Sequence, residues 1–218
     1  MARSKKSCYG PPVSSLLLST CALGMGLGLR HAFDSDHVAA ITTLVTGGCS
    51  PRQAAAVGAS WGLGHAAAVV VLGAGLLLAG VQVPAPLAAA FDLLVVGLMV
   101  LLGVRALRAR QPEAEADAPQ RRSSLRALGV GLIHGVSGTA AVALLALTRV
   151  PSQAHGVGFL LVFSVAATAS MTAISFLLAL PLAAASRRSG RLARGAQVLA
   201  GVASLAVAVL ILVETLRG

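Results

Sequence analysis

Residues 13–37 read VSSLLLSTCALGMGLGLRHAFDSDH. An apolar run about as long as a bilayer-spanning helix, which needs ~20 residues, ends in two imidazoles and two carboxylates. Arg3, Lys5 and Lys6 precede it, as they would a secretory signal. A signal's apolar core is only about 7–15 residues long. This run is longer and leads straight into the most polar motif of the chain, so it reads as a retained membrane helix.

The rest of the chain agrees. Of 218 residues, 56% are hydrophobic and 11% charged, with a mean hydropathy of +0.86. A soluble domain carries roughly 25% charged residues, so this chain cannot cover a water-facing surface. The net charge of +10 comes with only 3% aromatics. Its Arg residues lie in short gaps between apolar runs, which is the pattern of the positive-inside rule and not a nucleic-acid patch. Cys8, Cys21 and Cys49 form no CxxC pair, so neither a disulfide framework nor a thiolate metal site is expected.

Six apolar segments follow, near 13–33, 53–82, 87–107, 125–149, 154–182 and 194–215, with a short amphipathic piece from 34 to about 46. Breaks fall at Gly47–Pro51, at Pro84 and Pro86, and at Pro151. The expected fold is all-α: a polytopic membrane bundle of about six transmembrane helices. Three parts are expected, an N-terminal three-helix half (1–107), a polar cytoplasmic linker (108–124) and a C-terminal three-helix half (125–218). The linker region carries Arg105, Arg108, Arg110, Arg121, Arg122 and Arg126, and the gap at 183–193 carries Arg187, Arg188 and Arg191. Both should be cytoplasmic, which puts the two termini outside; Arg3, Lys5 and Lys6 run against that placement.

Gly28-Leu29-Arg30-His31 is echoed by Gly131-Leu132-Ile133-His134, each opening a three-segment half. An odd number of crossings per half turns the halves opposite ways. Inverted repeats of this kind are common in secondary transporters, with the substrate site at the repeat interface.

Chemistry concentrates in Arg30-His31-Ala32-Phe33-Asp34-Ser35-Asp36-His37. Ionisable groups at membrane depth are costly and mark function. On an unbroken helix, His31, Asp34 and His37 share a sector of about 120°, and a break near Asp34 could bring Asp36 in. Imidazoles suit Ni, Co, Cu and Zn, and carboxylates often hold a ligating imidazole by its other nitrogen. His31 and His37 are therefore expected metal ligands, and Asp34 and Asp36 ligands or partners of the imidazoles. A helix N-cap would use one of these Asp at most. His65, in Trp61-Gly62-Leu63-Gly64-His65, joins them as an expected ligand, with small neighbours that admit another helix. His134, in His134-Gly135-Val136-Ser137-Gly138, is expected on the same path, as a ligand or as packing. Asp92 has two readings, path residue or interfacial cap. His155 is read as solvated, and Trp61, Arg149 and Glu214 as interface residues.

The first motif resembles the signature of the nickel/cobalt transporter family, Arg-His-Ala-x-Asp-Ala-Asp-His, with Ser35 in place of Ala. The resemblance implies a role in metal recognition for His31, Asp36 and His37. Leu63-Gly64-His65 is similar to a second family signature, although Ala66-Ala67 replace its Ser-Thr. A third signature, Asp-Thr-Ala-Thr-Glu, is missing; His134 to Ala141 looks instead like the short UreH-like branch, whose members accompany urease genes. The family implies a permease without a nucleotide-binding motif, and no Walker pattern is present.

The expectation is a multi-pass cell-membrane permease carrying Ni²⁺ or Co²⁺ as transported substrate. It is not an enzyme and needs no cofactor. Its partners are the divalent ion, the lipid bilayer and urease or hydrogenase maturation machinery, with no nucleic acid. Uptake is favoured because the linker lacks a His-rich tract. The alternatives are a metal efflux permease or an exporter of a non-metal substrate. A membrane hydrolase would need an open metal position and a water, and no His-Glu-x-x-His is present.

Overall fold

A computed structural model describes residues 13–46, 49–109, 120–149 and 152–217. Among them are seven helices: α1 (Val13–His31), α2 (Ser35–Val45), α3 (Pro51–Ala79), α4 (Ala85–Arg108), α5 (Gln120–Arg149), α6 (Gln153–Arg188) and α7 (Gly190–Arg217). Four of them, α3, α4, α6 and α7, are long and apolar enough to cross a membrane. The α1–α2 pair, bent by 53°, reaches that length and apolarity only when its two helices are taken together, as a broken span or a re-entrant loop. The fold is thus an all-α, multi-pass bundle by length and composition, and the fourth sequence segment lies on α5.

The helix ends follow local chemistry. Ser50 and Gln53 close a capping box at the start of α3, where Pro51 occupies the first turn. Gly80 ends α3 in the left-handed region at φ 65°, which glycine adopts without a Cβ clash. Pro84 takes the N-cap position of α4. The expected gap at 183–193 is far shorter: α6 runs on to Arg188, and only Ser189 separates it from α7. The described part of α5 begins at Gln120. Residues 110–119 and the Gly47-Gly48 break lie outside the described residues.

Packing is set by glycines and small residues, which let backbones approach where no hydrophobic drive exists between helices. α1 runs parallel to α6, with Gly24 against Phe159 and Gly28 against Phe163 and Ala167. α5 runs parallel to α3 in the same manner, with Gly131 against the Trp61 carbonyl and Gly135 against His65 and Ala68. α3 and α6 cross antiparallel, Gly58 meeting Met171 and Ser175, and Gly62 meeting Thr168. Thr168 Oγ1 donates to the Gly62 carbonyl at 3.1 Å there. α4 and α7 also cross antiparallel, through Gly103 and Gly201. Arg194 of α7 donates to the carbonyls of Leu107 (2.7 Å) and Ala109, which the end of α4 would otherwise leave without partners.

Large apolar side chains such as Leu18, Val71, Val165 and Leu199 point outward, whereas His37, His65, His134, Ser164, Ser175 and Ser204 are buried. Polar groups inside and apolar groups outside suit a lipid-facing bundle. Trp61 corrects its interfacial reading: it is 1% exposed and packs in the interior beside His37.

Candidate metal centre

The bend between α1 and α2 builds the site. The helix stops at His31, turns through Ala32–Asp34 and restarts at Ser35. Two turn bonds, Phe33 N–H to Arg30 O (2.9 Å) and Asp34 N–H to His31 O (3.1 Å), hold it. Asp34 stands at the N-cap of α2, yet its side chain makes no capping bond. Instead His31 Nδ1 donates to Asp34 Oδ2 at 2.9 Å.

Past the bend, Asp36 binds two rings. His37 Nδ1 donates to its Oδ1 at 3.1 Å, and His134 Nε2 of α5 donates to its Oδ2 at 2.8 Å. An ionised carboxylate only accepts, so each of these ring nitrogens carries the proton. In a neutral ring that tautomer leaves the opposite nitrogen, His31 Nε2, His37 Nε2 or His134 Nδ1, with its lone pair. All three atoms are buried and have no hydrogen-bond partner among the described residues. Both ring nitrogens of His65 share that condition.

These rings converge. The His31 centroid lies 4.3 Å from that of His37 and 5.1 Å from that of His65, and His37 lies 5.2 Å from His65. His31, His37 and His65 each offer one nitrogen within 4.8 Å of the others, and Asp36, His37 and His134 form a second such group sharing His37. Nitrogens bound to one ion at about 2.1 Å lie no more than ~4.2 Å apart, so the group would have to draw in by a few tenths of an ångström to share an ion. A buried polar atom left unpaired costs about 1–3 kcal/mol. Several such lone pairs in one place are what a cation would stabilise. Asp34 and Asp36 supply two negative charges beside them.

All six residues singled out in the sequence, His31, Asp34, Asp36, His37, His65 and His134, therefore meet here. His155 does not: its Nδ1 lies 2.7 Å from Ser152 Oγ, in the first turn of α6. Asp92 of α4 accepts a hydrogen bond from Ser137 Oγ at 2.5 Å, one helical turn beyond His134. That link was not legible in advance. Trp61 was misread although it precedes His65 by four residues, which puts both on one helix face. Its ring lies 5.3 Å from His37 and 5.9 Å from His134. Phe163, 5.3 Å from His31, closes the other side, and no sequence signal marked it.

A cavity of about 210 Å³ reaches the cluster, lined by Leu27, Arg30, His31, Asp34, Val142, Phe159 and Phe163. His31 is the imidazole that borders it. His37, His65 and His134 lie deeper, each no more than 2% exposed.

No family model matches the chain, and no solved structure matches it. The chain is similar to the urease accessory protein UreH of Bacillus sp. (strain TB-90), at 26% identity over 185 residues, 79% of this chain and 81% of that protein. It is also similar to two Arabidopsis thaliana proteins, chloroplast proteins FOR GROWTH AND FERTILITY 2 and 1. Each is 26% identical, over 170 and 175 residues. The match covers 71% of this chain in both cases, but only 45% and 48% of the plant proteins, so the chain spans about half their length.

Proposed function

We propose that this protein is a membrane permease that takes up Ni²⁺ or Co²⁺ across the cell membrane, with His31, His37 and His65 as the ion's ligands. The observation that carries this reading is the convergence of buried imidazole lone pairs whose opposite nitrogens are held by Asp34 and Asp36. Carboxylate–imidazole pairs of this kind orient ligands and raise their basicity. Imidazole donors select late first-row ions over Mg²⁺ or Ca²⁺. The similarity to a urease accessory protein supports nickel as cargo and urease maturation as its destination.

Six crossings in two inverted halves fit the packing. The α1–α6 contact has its counterpart in α5–α3, while α3–α6 and α4–α7 each pair equivalent helices. At the α4–α7 crossing, a Cβ on Gly103 would meet the Gly201 carbonyl at 2.9 Å and the Leu205 side chain. A Cβ on Gly201 would meet the Gly103 carbonyl at 3.0 Å and the Leu107 side chain. The ion then sits where the halves join, since His134 belongs to the second half and its partner Asp36 to the first. A divalent ion moving inward gains about 4.6 kcal/mol per 100 mV of membrane potential.

Uptake of ⁶³Ni²⁺ by cells carrying the wild type or His37→Ala tests the reading. Uptake should fall to the background of cells without the protein. Equal uptake by the two at matched protein levels refutes it.

A further inference from the structure

We infer that Gly138 sets the coordination number of the bound ion, and thereby the choice among late first-row ions, by keeping room for metal-bound water beside His31 and His65. This rests on the metal reading above. Gly138 lies on α5, four residues beyond His134 and so on the same helix face.

Its surroundings differ from those of the other glycines of α5 that touch a neighbour. Cβ atoms on Gly131 and Gly135 would strike the α3 backbone at the carbonyls of Trp61 and His65; those two positions are small so that the helices can touch. Among the described residues, a Cβ on Gly138 would meet no backbone so closely. Its nearest neighbours would be His31 Nε2 at 3.7 Å, His31 Cε1 at 3.8 Å and His65 Cε1 at 3.9 Å. These are ordinary contact distances, so helix packing does not require glycine here. The missing methyl instead leaves space against the ligand edge of the two rings, next to the bare lone pair of His31.

That space has a chemical use. Three imidazoles supply three ligands, and each of the nearest carboxylates, Asp34 and Asp36, is engaged by ring N–H groups. Tetrahedral Zn²⁺ needs a single further ligand. Ni²⁺ does not share that tetrahedral preference, while Co²⁺ takes as many ligands as the site admits; any ligand beyond the imidazoles must be water. A methyl at position 138 would take up the volume of one such water, lower the coordination number and favour Zn²⁺.

The test uses the full-length protein in lipid nanodiscs, loaded with Co²⁺, with Ni²⁺ and Zn²⁺ in competition by equilibrium dialysis. The wild-type Co²⁺ complex should show the weak visible absorption of a five- or six-coordinate ion. Gly138→Ala should show the intense bands of a four-coordinate one, and its preference for Ni²⁺ over Zn²⁺ should fall about tenfold, a typical size for altering a metal's surroundings. Gly129→Ala, on the same helix with nothing within 4 Å of its Cβ, should match the wild type in both. A four-coordinate wild-type spectrum overturns the inference whether or not the variant folds. So does a Gly138→Ala protein with wild-type spectrum and preference, or an equal change in Gly129→Ala. Failure of the wild type to bind any of the three ions would instead sink the metal reading itself.

Discussion

Asp36 and His134 are hydrogen-bonded at 2.8 Å although 98 positions separate them in sequence. The bond ties the start of α2 to the middle of α5, and Asp36 holds His37 with its other oxygen.

Asp36→Asn should therefore loosen two imidazoles at once. The amide keeps one oxygen and turns an N–H pair toward a ring that already donates. Binding of Ni²⁺ to the purified protein should weaken 10–100-fold, the usual cost of losing a carboxylate behind a ligating histidine, while membrane insertion and helix content stay unchanged. Titration calorimetry decides the matter, and an affinity within about threefold of wild type would show that Asp36 does not orient the rings.

Gly131→Ala should destabilise the fold, because its Cβ would collide with the carbonyl of Trp61, a backbone atom that cannot swing aside. Overpacking of this kind costs about 1–3 kcal/mol. Gly129→Ala, two residues earlier in open space, should be neutral or stabilising by up to ~1 kcal/mol through its better helix propensity. Thermal unfolding in detergent, followed by circular dichroism, should separate the two variants; coincident melting curves would contradict the close α3–α5 approach.

Ser137→Ala removes the donor to Asp92 and should cost about 1–3 kcal/mol if the carboxylate stays in place without it. Asp92→Asn, which can still accept from Ser137, should cost less. Reversal of that order in the same melting experiment would mean that the Ser137–Asp92 bond contributes nothing to the fold.

The membrane character of the helices was legible because hydropathy and the lack of charge are local, additive properties. The six residues of the candidate centre stand out in the sequence because ionisable groups are rare in such segments. What lay hidden was pairwise. Nothing in the sequence around Asp36 says that its second oxygen goes to His134 and not to solvent. Trp61 was read as interfacial because tryptophans often sit there, and its spacing of four from His65 was the available clue to the contrary. The Gly103–Gly201 crossing did leave a trace, Gly-Val-x-x-Leu at 103–107 and again at 201–205. So short a pattern in a chain with 24 glycines gains meaning only once the two segments are seen to touch. Gly138 stands inside the His134-Gly135-Val136-Ser137-Gly138 motif, but the role of an absent side chain depends on what stands opposite it.

The 53° bend between α1 and α2 has an electrical consequence. A helix carries roughly half a negative charge at its C-terminal end and half a positive charge at its N-terminal end. At the bend, α1 ends at His31 and α2 begins at Ser35, so both ends face the same small region. The carbonyl end of α1 favours a cation beside His31, and the amide end of α2 favours the carboxylates of Asp34 and Asp36. A continuous helix through these residues would cancel the two ends and leave the cluster in a neutral stretch of backbone. By breaking here, the chain lays a field across the cluster, with the negative end of α1 turned toward His31 and the positive end of α2 toward Asp34 and Asp36.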